Sequence, residues 1–119
     1  MERETPFTVR LNADRRRYEL LDGGRVIGKA HWLPFKSASR AERIFYHTTV
    51  NDEYGGQGLA AMLARFALED TVASDTVAVT VCPYFTAYVR KHPEFQVHTV
   101  PVRPEHLAAV EAAARQTRA

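Results

Sequence analysis

The chain has 119 residues, 45 % of them hydrophobic, and its 16 Lys and Arg against 14 Asp and Glu give a formal charge of +2. That length suits one α/β domain over residues 1–119 and leaves no room for separate cofactor and substrate domains, while the apolar content excludes global disorder. The nearly balanced charge argues against a nucleic-acid binder, and the single cysteine, Cys82, excludes an intrachain disulfide and a cysteine-built metal centre.

Phe7, Val9 and Leu11 alternate with Thr8, Arg10 and Asn12 and predict a short edge strand. Arg15-Arg16-Arg17 then reads as a solvated approach to a second strand, with a phosphate or nucleic-acid contact as its alternative. This strand runs through Tyr18-Glu19-Leu20-Leu21 into Asp22-Gly23-Gly24, a hairpin signal because glycine tolerates the positive φ of a tight reversal. The chain returns over Arg25–Phe35, and the stretch from Pro34 to Ala41 reads as a loop.

Glu42–Val50 predicts a further strand, with Ile44, Tyr46, Thr48 and Val50 on one face. After Gly55-Gly56-Gln57-Gly58 comes a helix whose apolar side is formed by Leu59, Met62, Leu63, Phe66 and Ala67, with Met62 expected in the core. Arg65 and Glu69 stand one turn apart and can pair in solvent. The β-branched run Thr76–Val81 predicts a buried strand parallel to Glu42–Val50, with the intervening helix as crossover. Pro83 suits the first position of a helix toward His92, and Pro93 ends it. Phe95–Val100 predicts a last strand and Pro104–Arg118 a terminal helix, whose only large apolar residues are Leu107 and Val110.

The glycine turn bears most directly on function. A helix start exposes unpaired amide hydrogens at the positive end of the helix dipole, and glycines let a phosphate approach them without a lysine. The turn lacks the Gly-Lys-Ser/Thr ending of a nucleotide P-loop and the spacing of a dinucleotide fingerprint. Phosphate binding without triphosphate chemistry is what remains, against the plain alternative of a tight turn.

Gly55-Gly56-Gln57-Gly58-Leu59-Ala60 is similar to the acyl-CoA signature of the GCN5-related N-acetyltransferase superfamily: Gln or Arg, two variable residues, Gly, one variable residue, then Gly or Ala. Gly58 and Ala60 match, while Gly55 departs from the usual Gln or Arg. With His47-Thr48-Thr49-Val50 before the turn, and Cys82-Pro83-Tyr84, Tyr88 and His92-Pro93-Glu94-Phe95 after it, the chain resembles the small, minimal acetyltransferase-like group of that superfamily. The resemblance implies an α/β fold with a mixed, splayed β-sheet and flanking helices, and acetyl-CoA or coenzyme A as cofactor. It places the pantetheine arm against the backbone of Thr48, Thr49 and Val50, and the pyrophosphate at Gly55, Gly56, Gln57, Gly58, Leu59 and Ala60. It also sets the thioester near Cys82, while Tyr84 and Tyr88, one helical turn apart, can border the same pocket.

Three side chains are candidates for catalysis. Cys82, at the cap of the helix begun by Pro83, can act as a nucleophile toward an acyl-CoA carbonyl or simply form the wall beside the thioester. His47 is the candidate base for a direct transfer to an amine, although a lone strand histidine also serves structure. Tyr88 loosely resembles the tyrosine that protonates the departing CoA sulfur in larger superfamily members, and is otherwise an aromatic anchor. His92 and Glu94 read as helix-ending residues, and His31, His98 and His106 have no evident catalytic partner; no metal site is expected.

The implied activity is acetyl-CoA-dependent N-acetyl transfer to an amine of a small molecule or exposed peptide. A non-catalytic CoA-binding or protein-interaction module is the alternative, kept open by Gly55 and by the lack of an obvious acidic base. An RNA-binding domain would need a basic stripe and an aromatic platform that are not evident. The charged Met1-Glu2-Arg3-Glu4 and the absence of a membrane-length apolar run make the cytoplasm the expected compartment, with no membrane partner.

Overall fold

The computed structural model describes residues 6–118, so Met1-Glu2-Arg3-Glu4 lies outside the described residues. Four strands, β1 (Phe7–Asn12), β2 (Arg17–Asp22), β3 (Arg25–Lys36) and β4 (Ala41–Val50), form an antiparallel meander in which each strand pairs with the next. Helix α1 (Leu59–Ala73) then crosses over to β5 (Val77–Thr80), which lies parallel to β4. Helix α2 (Pro83–Lys91), a 3₁₀ turn (Pro93–His98), the two-residue β6 (Thr99–Val100) and helix α3 (Pro104–Arg118) complete a six-stranded mixed sheet in sequence order. Among the described residues no helix is long and apolar enough to cross a membrane.

The β2–β3 reversal places Gly23 at φ 64°, as the Asp22-Gly23-Gly24 signal requires. The expected loop from Pro34 is corrected: β3 continues through Pro34 to Lys36, and only Ser37–Arg40 form the connection, closed by the Ser37 amide on the Arg40 carbonyl. Proline is tolerated there because its nitrogen points away from β4, toward the side where β2 has already ended opposite His31.

A bulge in β4 overturns the expectation that Ile44, Tyr46, Thr48 and Val50 share a face. His31 pairs with His47 and Trp32 with Phe45, so Tyr46 is the extra residue and the alternation changes there. Phe45 and Val50 belong to the larger core under α1 and α2, whereas Ile44 and Tyr46 pack with Leu33, Val79 and the α3 residues Ala109, Val110 and Ala113. The Phe45 and Phe85 rings stack at 4.5 Å and 10° in the larger core, joining sheet to α2.

Helix α1 buries Leu59, Leu63, Ala64, Ala67, Leu68 and Thr71. Met62 is 37 % exposed and so is not the core residue expected, and Phe66 shares its exposure. Leu63, Ala64, Ala67 and Leu68 lie on the sheet, and Met62 and Phe66 fall at the rim of the helix face.

The expected strand Phe95–Val100 is corrected to a 3₁₀ turn followed by only two extended residues. Here Gln96 Nε2 donates to the Val89 carbonyl at the end of α2, and Phe95 inserts into the larger core beneath Arg65. Helix α3 is anchored by a residue with no partner evident in the sequence: His106 is fully buried. Its Nδ1 accepts the Arg103 amide at 3.0 Å, which leaves the proton on Nε2 to bridge to Glu42 Oε1 at 2.7 Å.

Candidate functional site

The site begins where β4 and β5 part. Their parallel pairing ends at Phe45 and Thr80, and the Phe45 carbonyl then accepts both the Val81 amide (3.0 Å) and the Cys82 amide (2.9 Å). Beyond that fork β4 runs on to Val50 beside β3, while Pro83 turns the other strand into α2. The last five residues of β4 therefore have no strand on their β5 side among the described residues. Thr48 Oγ1 and Cys82 Sγ meet across the gap at 3.3 Å, with Cys82 buried at the cap of α2.

The glycine turn stands next to this gap. Asn51 closes β4 with its amide on the Ile27 carbonyl, and a 3₁₀ turn (Asp52–Tyr54) is held by the Tyr54 hydroxyl donating to Asp22. Gly56 at φ 79° and Gly58 at φ 72° then adopt left-handed backbone, which glycine supplies without steric cost. A side chain at either would meet nothing within 4 Å, so backbone conformation rather than crowding demands glycine. Gly55, Gly56, Gln57 and Gly58 are exposed, Ala60 is half-buried and Leu59 is buried. The Met62 amide bonds to the Gly58 carbonyl, so the amides of Leu59, Ala60 and Ala61 precede the first intrahelical bond.

From this helix start a groove of about 210 Å³ opens between the two helices, lined by Ala61, Tyr84, Ala87, Tyr88, Lys91 and His92. The α2 members follow helical spacing, a signal already present in Tyr84 and Tyr88 that also points to Ala87, Lys91 and His92. Burial, with Tyr88 adding to it, raises the Tyr84 phenol above its ordinary range. The Tyr88 ring stacks on His92 at 3.9 Å, and His92 Nδ1 donates to the Tyr88 carbonyl at 2.7 Å, leaving Nε2 free of that bond. Arg65 sits beside Tyr88 and pairs with Glu69 (3.2 Å), as the sequence spacing anticipates, and with Glu94 (3.0 Å).

The structure thus brings Thr48 together with Cys82, and Ala61, in the first turn after the glycines, together with Tyr84 and Tyr88. His47 stands apart: it is exposed and stacks with His31 at 5.9 Å on the other face of the sheet. Thr49, one strand position on from Thr48, is also exposed, while Val50 packs toward the core. Burial lowers the His31 pKa, and His47, Arg17 and Lys29 push it in the same direction. Arg15 and Arg16 of the arginine run are exposed, and Arg17 pairs with Glu19 at 2.7 Å.

The family model described as GCN5-related N-acetyl-transferase matches residues 17–98. The chain is 34 % identical to Protein NATD1 of Homo sapiens over 94 residues, covering 76 % of this chain and 69 % of that protein. Identity to Protein NATD1 of Gallus gallus is 34 % over 90 residues, 73 % of this chain and 67 % of that one. Among solved structures, a GCN5-like protein from Staphylococcus aureus is similar in fold at a TM-score of 0.60 and 17 % identity, over 87 % of this chain and 97 % of that one. An aminoglycoside acetyltransferase from an uncultured soil metagenomic sample, in complex with sisomicin, has a TM-score of 0.54 and 12 % identity over 63 % of this chain. The chain spans 54 % of that enzyme's length, and the likeness is one of fold.

Proposed function

We propose that this chain, which belongs to the GCN5-related N-acetyltransferase family, binds acetyl-CoA and transfers its acetyl group to an amine of a small molecule or exposed peptide. The observation that carries this reading is the fork at the Phe45 carbonyl, which opens an unpaired β4 edge beside a helix start whose glycines hold left-handed backbone. An elongated ligand with an amide-bearing arm and a pyrophosphate fits those two features together. The amides from Gly56 to Ala60 would hold the pyrophosphate, the backbone of Thr48, Thr49 and Val50 the arm, and Ala61, Tyr84 and Tyr88 the wall of the groove beside them.

When bound, acetyl-CoA supplies an activated thioester. Cys82 and Thr48 would border its carbonyl at the end of the gap. His47 lies on the opposite face of the sheet, so it would act as base only for an acceptor amine entering the fork from that face, taking the proton released as the amine nitrogen bonds to the acetyl carbon and the carbon–sulfur bond breaks. Tyr88, stacked on His92 and beside Arg65, keeps a phenol proton for the departing sulfur or forms the groove wall.

The Thr48–Cys82 contact favours a second route, in which Cys82 Sγ bonds to the acetyl carbon, the CoA sulfur leaves, and the amine then releases the cysteine. Gly55, standing where the family signature has Gln or Arg, keeps a non-catalytic CoA-binding module as the competing reading. Calorimetry with acetyl-CoA and desulfo-CoA tests the cradle, and no heat with either ligand would reject it. Intact-mass analysis after incubation with acetyl-CoA separates the routes, since only the second adds an acetyl mass that Cys82→Ala removes. Binding without transfer across a broad amine panel would favour the module.

A further inference from the structure

The sheet face carrying His47 bears two polar cross-strand rows. Directly paired residues in an antiparallel sheet share a face, and positions two apart along a strand do as well. One row is Asn12, Arg17, His31 and His47, running from β1 to β4. The next is Arg10, Glu19, Lys29 and Thr49. Side-chain contacts agree with this placement: Glu19 accepts from Arg10 Nε at 2.8 Å, Arg17 Nε at 2.7 Å and Asn12 Nδ2 at 3.0 Å.

Helix α1 packs against the opposite face through Tyr18, Leu20, Ala30 and Phe45, and α3 covers the far end of this face around Leu33 and Ile44. Arg10, His47 and Thr49 remain exposed, and Lys29 and His31 half-exposed. Three permanent cations therefore stand against one carboxylate, Glu19, which is 1 % exposed and already consumed by two of them. Lys29 keeps its charge available, and Arg10 is 58 % exposed. A partner approaching this face meets positive potential with no accessible carboxylate in the two rows.

We infer that this face is the docking surface for an acidic peptide segment, whose amino-terminal amine lies at His47 and whose carboxylates reach Lys29 and, beyond it, the exposed Arg10. This rests on the transfer reading above and names its acceptor class. Strands lie about 4.8 Å apart and an extended residue spans about 3.3 Å, so Lys29, one strand across and two positions along, stands roughly 8 Å from His47, about two to three residues along a bound peptide. Acidic residues at the third and fourth positions are the favoured pattern. The arrangement lacks the aromatic stacking platform that single-stranded nucleic acid uses, since its rings are the paired imidazoles and Tyr46.

The test uses the full chain, acetyl-CoA and three peptides that share a free amino terminus and carry Asp, Asn or Lys at positions three and four. Acetyl transfer to the Asp peptide is expected at about fivefold or more the kcat/KM of the Asn peptide, falling toward parity as salt rises. Lys29→Glu should erase that preference, while Lys36→Glu, an equal charge change at the far end of β3, should leave it intact. Equal rates for all three peptides, or equal effects of the two variants, would overturn the inference. Anisotropy of a labelled Asp peptide separates the two failures. Charge-dependent binding without transfer keeps the surface and rejects the transferase reading, whereas acetyl-CoA binding without peptide binding rejects the surface alone. Displacement of the peptide by a lower concentration of single-stranded RNA would assign the face to nucleic acid and overturn the proposal.

Discussion

Thr48 Oγ1 touches Cys82 Sγ at 3.3 Å, joining two strands whose backbones have stopped pairing three residues earlier on β4. The contact closes the mouth of the fork with side chains that a ligand can displace, and leaves the β4 backbone itself accessible. Thr48→Val, which keeps the shape and removes the hydroxyl, should lower stability by about 1 kcal/mol in chemical denaturation. For the direct route, Cys82→Ala should retain acetyl transfer within about tenfold of wild type, since it removes no proton-transfer group. A loss of about 10² or more would move the chemistry onto the thiol.

Gly58 holds φ 72° at the start of α1. Gly58→Ala should cost about 1–2 kcal/mol of stability, because an L side chain is strained there, and should weaken acetyl-CoA binding in calorimetry as the first-turn amides shift. Gly55 offers the opposite test. Its φ of −64° and ψ of 153° suit any residue, and an added Cβ would sit 3.3 Å from the Asp52 carbonyl, a contact a small adjustment relieves. Gly55→Gln, which restores the family signature, is expected to fold normally and bind acetyl-CoA more tightly than wild type.

Glu19 links stability to pH. Burial alone would raise its carboxyl, but hydrogen bonds from Arg17, Arg10 and Asn12 outweigh burial and lower it from 4.5 to about 2. A pKa depressed in the folded state stabilises the protein above the unfolded value and loses that contribution as pH falls toward 2. The contribution at neutral pH is on the order of 3 kcal/mol. Denaturation of wild type at pH 7 and pH 3 should show the loss, and Glu19→Gln, less stable at pH 7, should show a flatter profile between them.

His106 ties α3 to β4 through Glu42 at the foot of the sheet, and Arg103 approaches the same carboxylate at 3.2 Å. His106→Leu leaves that carboxylate with one fewer donor and should cost about 2–3 kcal/mol. Amide hydrogen exchange should accelerate in α3 before it does in α1, because α1 is held by the larger core. Uniform acceleration throughout the chain would contradict this.

Local order was legible because it rests on short-range chemistry. The hairpin at Gly23, the strand before the glycine turn, the helix begun by Pro83 and ended by Pro93, and the parallel crossover were all readable from turn residues, proline geometry and β-branched runs. The glycine turn at Gly58 was legible for the same reason, whereas Thr48 and Cys82 were assigned to the cofactor site only through the resemblance to the acetyltransferase superfamily. Faces were less so. One extra residue at Tyr46 reverses the parity of β4, and period alone gives no sign of a bulge that exists only against β3. Met62 and Phe66 fit a helical stripe as well as Ala64 and Ala67 do, and the closeness of the sheet decided which pair was buried.

What the sequence determined by itself was the order of elements and the glycine-led helix start, since backbone constraints at Gly, Pro and β-branched residues act within a few positions. Tertiary structure alone decided that Cys82 meets Thr48, that His47 turns to the opposite face beside His31, and that His106 finds Glu42. Those pairs are separated by 34, 16 and 64 positions. They depend on register and on the packing of whole elements, and no local pattern carries that information.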